Sequence, residues 1–374
     1  MGRFFFAGDF CCSNPYSINF SERLATIISN CDYRYLNFEG PLQRGCKSTA
    51  NDTILYQSDD SPKWCKEKGF EIVGFANNHA LDFGEQGLIE TMKAFHGLIT
   101  LGAGNWEEAY SIKAVDTNEC AVGFIAATSS DLASFKDRWT DANKIGCANL
   151  MSAEIERVVE KKNEFCDVLI LIAHAGIEFC SVPLPELRDR YRRLIELGVD
   201  AIIAMHPHVP QGCEVYMEKP IVYSLGNFCF DPLKQSSNMP ELWNHGLSVV
   251  LDIKANRTIE YEIIPICNNS CSLDLESDEV VLNHLTWLNE VINNDIEYMR
   301  ALDKEVYRLF PMYRDWLLGG FNAYEANASL RAFYHFVKGC FQKPNYKAAM
   351  HQLREESTRW LITRYLKNNS NSLL

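Results

Sequence analysis

Short apolar runs alternate with amphipathic stretches along the first 265 or so residues, and this alternation predicts strands and helices in turn. Residues 3–7 are a continuous apolar run closing on Gly8-Asp9, which reads as a buried strand with a carboxylate at its end. Residues 19–29 look helical, 33–38 form a second strand closing on Glu39, and Ser61-Pro62 opens a helix with a capping residue and Pro at the first position. A strand at 71–75 leads into Asn77-Asn78-His79, and an amphipathic helix covers 85–98. Strands at 111–116 and 120–127 are joined by a turn. The pattern then recurs with a helix at 152–165 capped by Ser152, a strand at 167–173 delivering His174, a helix at 184–197 closed by Gly198, and a strand at 201–204 delivering His206 and His208. Strands at 213–217, 221–224, 246–253 and 258–265 follow as a meander. Residues 268–280 are polar and turn-rich and read as a linker, and from about 281 the pattern is helical and aromatic. The expected organisation is a main domain over 1–267, a helical appendage over 281–368 and a disordered tail over 369–374.

The polar residues fall in register, just past the carboxyl ends of successive strands, where open α/β sheets place their sites. Six segments carry them: Gly8-Asp9-Phe10; Asn37-Phe38-Glu39-Gly40-Pro41-Leu42; Ala76-Asn77-Asn78-His79-Ala80-Leu81-Asp82-Phe83-Gly84; His174-Ala175-Gly176-Ile177-Glu178; His206-Pro207-His208-Val209-Pro210-Gln211; and Tyr223-Ser224-Leu225-Gly226-Asn227-Phe228. Each residue has an ordinary use taken alone. Asp9 suits a turn, Asn78 a cap, His174 a satisfied core position, and Asn227 a turn after a strand. Together they supply hard oxygens and borderline imidazoles, a set that suits two divalent cations, Mn, Fe or Zn, rather than Ca.

Composition narrows the classes. The formal net charge is −13, which argues against nucleic-acid binding by the main body, although residues 331–374 hold eight Lys/Arg against two Glu. The 14 cysteines form no C-x-x-C pair and several sit in apolar runs, so most read as buried free thiols in a reducing compartment. No signal peptide is visible and no run approaches the roughly 20 apolar residues of a membrane helix, so the expected location is cytoplasmic with no transmembrane segment.

In order and spacing the six motifs resemble the CapA family of poly-gamma-glutamate capsule synthesis proteins, a branch of the calcineurin-like metallophosphoesterase superfamily, over roughly residues 3–266. The resemblance implies a four-layer α/β/β/α metallophosphoesterase-like sandwich with a dinuclear metal site on one rim; the helical appendage lies outside it. It implies Asp9 and His208 on the first metal, Glu39 bridging, and Asn78, His174 and His206 on the second. His79 takes the position that protonates the leaving oxygen or contacts the phosphate, with Asp82 and Glu178 as supporting groups. Asn227 and Gln211 are the expected substrate contacts. The first motif departs from the common Asp-x-His pattern, reading Asp9-Phe10-Cys11, so the first metal should be held more weakly.

The leading expectation is a metal-dependent hydrolase of a phosphate mono- or diester in capsule or surface-polymer metabolism, acting on a phosphorylated small molecule or an anionic polymer. Two alternatives stand beside it. One is an amide-bond or polymer-assembly enzyme using the same site. The other is a non-catalytic protein that binds an anionic polymer.

Overall fold

The computed structural model describes residues 2–46, 54–141, 143–231, 239–317 and 356–370. In chain order the first half contains β1 (Gly2–Cys11), β2 (Asn19–Phe20), α1 (Glu22–Ser29), β3 (Tyr33–Phe38), α2 (Ser61–Glu67), β4 (Ile72–Gly74), α3 (Gly84–Ala94) and β5 (Ile99–Leu101). There follow β6 (Ala103–Gly104), α4 (Trp106–Ala109), β7 (Lys113–Asp116), β8 (Ala121–Thr128), β9 (Gly146–Cys147), α5 (Ala153–Glu160), β10 (Val168–His174), α6 (Pro185–Leu197) and β11 (Ala201–Met205). The rest comprises β12 (Cys213–Tyr216), β13 (Lys219–Val222), β14 (Asn227–Phe230), β15 (His245–Ile253), β16 (Ile259–Asn269), β17 (Ser272–Leu275), α7 (Glu279–Ile292), α8 (Asp295–Leu317) and α9 (Glu356–Ser370).

Two sheets dominate. The first runs β2-β17-β16-β15-β1-β3-β4-β5, with β14 also pairing β1, and the second runs β12-β13-β11-β10-β8-β7. β1, β3, β4 and β5 are parallel neighbours, as are β8, β10, β11 and β13. Strands of this kind are buried on both faces, which is why β1 and β10 read as unbroken apolar runs. Alternate side chains serve the two faces. Phe4 and Phe6 meet Phe124 of the opposite sheet at ring-centroid distances of 5.6 and 6.4 Å, while Phe5 turns the other way to Phe228. On that outer face Phe10 stacks on Trp64 of α2. The outer face of the second sheet, including Ile125, Leu169, Leu171 and Ile202, is covered by α5, α6 and the C-terminal helices. The result is the expected four-layer α/β/β/α sandwich. Among the described residues no helix is long and apolar enough to cross a membrane.

Several local expectations are corrected. Residues 268–280 are not a linker: 268–269 complete β16, and β17 closes a tight hairpin onto it. Residues 19–20 form a strand, and the helix begins at Glu22 because the Ser21 side chain accepts from the Leu24 N–H. Ser152 makes no capping bond; its hydroxyl lies 3.3 Å from that of Tyr110. The Pro62 helix has Asp60 at its cap, with no side-chain capping bond. α9 extends through Asn369 and Ser370, past the expected end at 368.

The C-terminal helices lie against the outer face of the second sheet. Val291, Tyr298, Leu302, Val306, Leu309, Tyr313 and Leu361 share one apolar cluster with Leu187, Tyr191 and Tyr223. Polar ties reinforce it: the Tyr298 hydroxyl donates to the Pro183 carbonyl (2.8 Å), and Arg188 bridges to Asp295 (2.9 Å) and the Ile292 carbonyl (2.8 Å). Trp287 is 41% exposed and lies beside His284 of the same helix. Phe321, Phe333 and Phe336 lie outside the described residues, as does the side chain of Trp316.

Candidate metal centre

Asp9, Glu39, Asn78, His174, His206 and His208 arrive from six positions at strand ends and meet on one rim. Asp9 comes first. It is fully buried two residues before the end of β1 and pairs across to Asn227 of β14 and Asn37 of β3. Its carboxylate accepts from Asn37 Nδ2 (2.7 Å) and from the His206 backbone N–H (3.1 Å), and its own N–H donates to the Gly226 carbonyl (3.0 Å). Gly8 permits that approach, because a Cβ there would sit 2.1 Å from the same Gly226 oxygen. Burial raises the Asp9 carboxyl above its ordinary value, against the lowering effects of His208 and the Asn37 hydrogen bond.

Glu39 lies one residue past β3, fully buried, with His208 Nε2 at 3.5 Å from its Oε1. Asp9, Glu39 and His208 each offer an atom within 4.8 Å of the others. His174 ends β10. Its Nε2 is 2.8 Å from Asn78 Oδ1 and 3.0 Å from His206 Nδ1. Ligand atoms about 2.1 Å from one ion stand about 3 Å apart or slightly more, so this trio already has the spacing of a shared coordination sphere. Glu178, half-buried, joins His206 and His208 in a second group within 4.8 Å. The donor chemistry fits divalent cations. Burial holds His174 and His206 well below the usual imidazole range, with neighbouring imidazoles adding to the effect, and it lowers His208 despite Asp9. Neutral imidazole is the ligating form.

The turn after β11 carries the two remaining histidines in unusual backbone. His206 has φ 108° and His208 φ 59°, both in the left-handed region that favours glycine. Pro207 between them fixes its own φ, so the two imidazoles project from a stiff corner.

His79 stands beside this cluster. Its Nδ1 is 2.8 Å from Asp82 Oδ2, and the same carboxylate oxygen accepts the Leu55 N–H at 2.8 Å. Asn77 holds the loop by donating to the Phe38 carbonyl and accepting from the His79 N–H. Cys11, at the position where Asp-x-His would put histidine, packs with Leu55, Phe230 and Trp243.

The two amides expected at the substrate both make contacts within the protein. The Asn227 Oδ1 accepts from His208 Nδ1 (2.9 Å) and its Nδ2 donates to the carbonyls of His208 and Trp243. It orients the His208 ring and leaves Nε2 toward Glu39. Gln211 is buried, and its Nε2 donates to the Cys180 carbonyl (2.8 Å), so it braces a loop. Two further residues serve the site without an assignment from the motifs. Asn37 donates to Asp9 and lies 3.3 Å from His174 Nδ1; its signal is its position two before Glu39, on the same strand face. Trp243, whose ring lies 5.2 Å from that of His208, belongs to no motif and gives no signal.

A family model described as "Bacterial capsule synthesis protein PGA_cap" matches residues 5–232. The chain is 28% identical over 227 residues to the capsule biosynthesis protein CapA of Bacillus anthracis, covering 58% of this chain and 55% of that protein. It is 29% identical over 252 residues to the PGA biosynthesis protein CapA of Bacillus subtilis, covering 64% and 62%. It thus spans little more than half the length of these curated relatives. Among solved structures it resembles a hypothetical protein from Thermus thermophilus (12% identity, TM-score 0.45, 70% of this chain and 99% of that one). It also resembles a phosphatase from Mycoplasma pneumoniae (14% identity, TM-score 0.39, 75% and 96%).

Proposed function

Because the chain belongs to the bacterial capsule synthesis protein family PGA_cap, we propose that it is a metal-dependent hydrolase of a phosphate mono- or diester, with two divalent ions held at this rim. One observation carries the reading: six donor side chains, five of them buried, converge from the ends of five strands, with burial holding the imidazoles below their usual range and the spacing that of ligands. Asp9 and His208 would hold one ion, Asn78, His174 and His206 the other, and Glu39 would lie between them. When bound, such ions supply Lewis acidity, lower the pKa of water toward neutrality and offset phosphate charge.

The chain's own residues do the rest. Asn37 and the His206 N–H fix the Asp9 carboxylate, and Asn227 fixes the His208 ring. Asp82 holds His79 through Nδ1, which leaves Nε2 to carry the proton for a leaving oxygen. Glu178 flanks His206 and His208 from the more open side and supports the charge balance there.

A second reading draws on the relatives' names, capsule and PGA biosynthesis: the same centre would act on an amide of a gamma-linked glutamate polymer. The deciding experiment is metal-dependent turnover of aryl phosphate mono- and diesters by the reconstituted chain. His79→Gln should keep its metal and lose turnover, whereas His206→Ala should lose metal. Full metal loading without turnover of any ester would discard the phosphoesterase reading in favour of the second.

A further inference from the structure

We propose that Cys12, Cys229 and Cys271 form a separate site for one thiophilic metal ion, which fastens together three parts of the first sheet that are distant along the chain. The three sulfur atoms all lie within 4.8 Å of one another and all three residues are buried. The described residues include thirteen free cysteines, and no other three of them have this proximity. The three come from remote places: Cys12 just past β1, Cys229 within β14, and Cys271 in the turn between β16 and β17. None of the three belongs to the Asp/Glu/His cluster, so this proposal does not depend on the phosphoesterase reading.

The turn makes the strongest case. Asn269 pairs with Ser272, so Ser270 and Cys271 are a two-residue hairpin loop. Both have positive φ, 53° and 70°. That loop geometry favours Asn-Gly, and its second position favours glycine most of all. Cysteine there works against the backbone, and the Asn268 side chain must accept the Cys271 N–H (2.9 Å) to help hold it. A thiol delivered by a disfavoured backbone into a cluster of thiols has a use beyond filling space; a glycine would close the turn more easily.

The donor set selects the ligand. Three sulfurs with no carboxylate or imidazole among them favour a soft or borderline ion, Zn2+ or Cu+, over Mn2+ or Mg2+. Cu+ is satisfied by three thiolates. Zn2+ takes a fourth ligand, which solvent could supply. Each thiol that ligates gives up its proton, so loading releases protons to solvent. A bound ion would tie together the strand ends that carry Asp9 and Asn227 and the hairpin at the sheet's far side, adding stability as a cross-link does.

The test uses the full chain, purified anaerobically with reductant, stripped by chelator and titrated with Co2+. Thiolate ligation gives a near-ultraviolet sulfur-to-cobalt band that oxygen and nitrogen ligands do not. The expected result is a band saturating at one equivalent per chain, displaced by Zn2+ or Cu+, with a melting temperature that falls when the site is stripped. Cys271→Gly should abolish the band and the rise in melting temperature that accompanies it. It suits the turn, so it should fold. Cys65→Ala, a buried thiol of α2 outside the cluster, should keep the band. No band in the parent chain, a band that survives Cys271→Gly, or a disulfide joining two of the three in the anaerobic protein would each overturn the proposal.

Discussion

Glu214 is the place to perturb the contact between the sandwich and its C-terminal helices. Its buried carboxylate accepts from Arg192 Nε (2.9 Å) and Nη2 (2.6 Å), from the Tyr223 hydroxyl (2.6 Å), and more distantly from Arg188 Nη2 (3.5 Å). The consequences of Glu214→Ala differ among the partners. Arg192 is 30% exposed and can turn to water. Arg188 is buried but keeps Asp295 and the Ile292 carbonyl. The Tyr223 hydroxyl is buried and would be orphaned, at about 1–3 kcal/mol. With the buried ion pair broken as well, the whole loss should be about 3–5 kcal/mol. Urea unfolding followed by tryptophan fluorescence measures it. The Tyr223→Phe background removes the orphan, so the double variant should lose about 1–2 kcal/mol less than the two single losses added together. Burial pushes the Glu214 carboxyl up, but hydrogen bonds from Arg192 and Tyr223 outweigh it and hold the group below the usual glutamate value. A lowered folded value means the stabilisation is present above the unfolded value and lost as pH falls through the folded one. The gap between parent and Glu214→Ala should therefore close under acid conditions. A loss below about 1 kcal/mol, or strict additivity in the cycle, would refute the account of this network.

Other outcomes follow from the same structure. Gly8→Ala would place a methyl 2.1 Å from the Gly226 oxygen, so the melting temperature and metal content should fall together, with about 3 kcal/mol lost. Titration of the stripped chain with Mn2+ should show two unequal steps, the weaker at Asp9, Glu39 and His208; two equal, tight steps would count against it. Truncation after Leu275 would uncover the apolar face now under Val291, Tyr298 and Leu302, so the shortened chain should aggregate. A soluble product that melts as the parent does would mark the C-terminal helices as a separate module.

The strand-end chemistry is legible in the sequence because parallel strands buried on both faces write themselves as apolar runs, and Asp9, Glu39 and His174 stand where those runs stop. Residue type and position suffice there. The internal bonds of Asn227 and Gln211 are not legible, because motif membership does not say where an amide's atoms point; that depends on His208 and on the Cys180 carbonyl, remote along the chain or set by loop shape. β14 is invisible as a strand, since its ladder is with β1, more than two hundred residues earlier. β17 hides for another reason. It is a short, polar strand whose outer neighbour β2 has two residues.

The left-handed corner at His206 and His208 bears on how such a protein changes over generations. Backbone preference at both positions runs against histidine by about 1 kcal/mol each, and the preference is for glycine or asparagine. Only the chemistry of the imidazoles opposes that drift. A lineage with no use for these imidazoles would lose the two side chains readily, and each loss would ease the corner. Regaining them would require both histidines to return against the backbone before either was useful. The corner therefore acts as a ratchet: a descendant that keeps the sandwich but shows glycine at these positions has given up this pair of donors and is poorly placed to recover it.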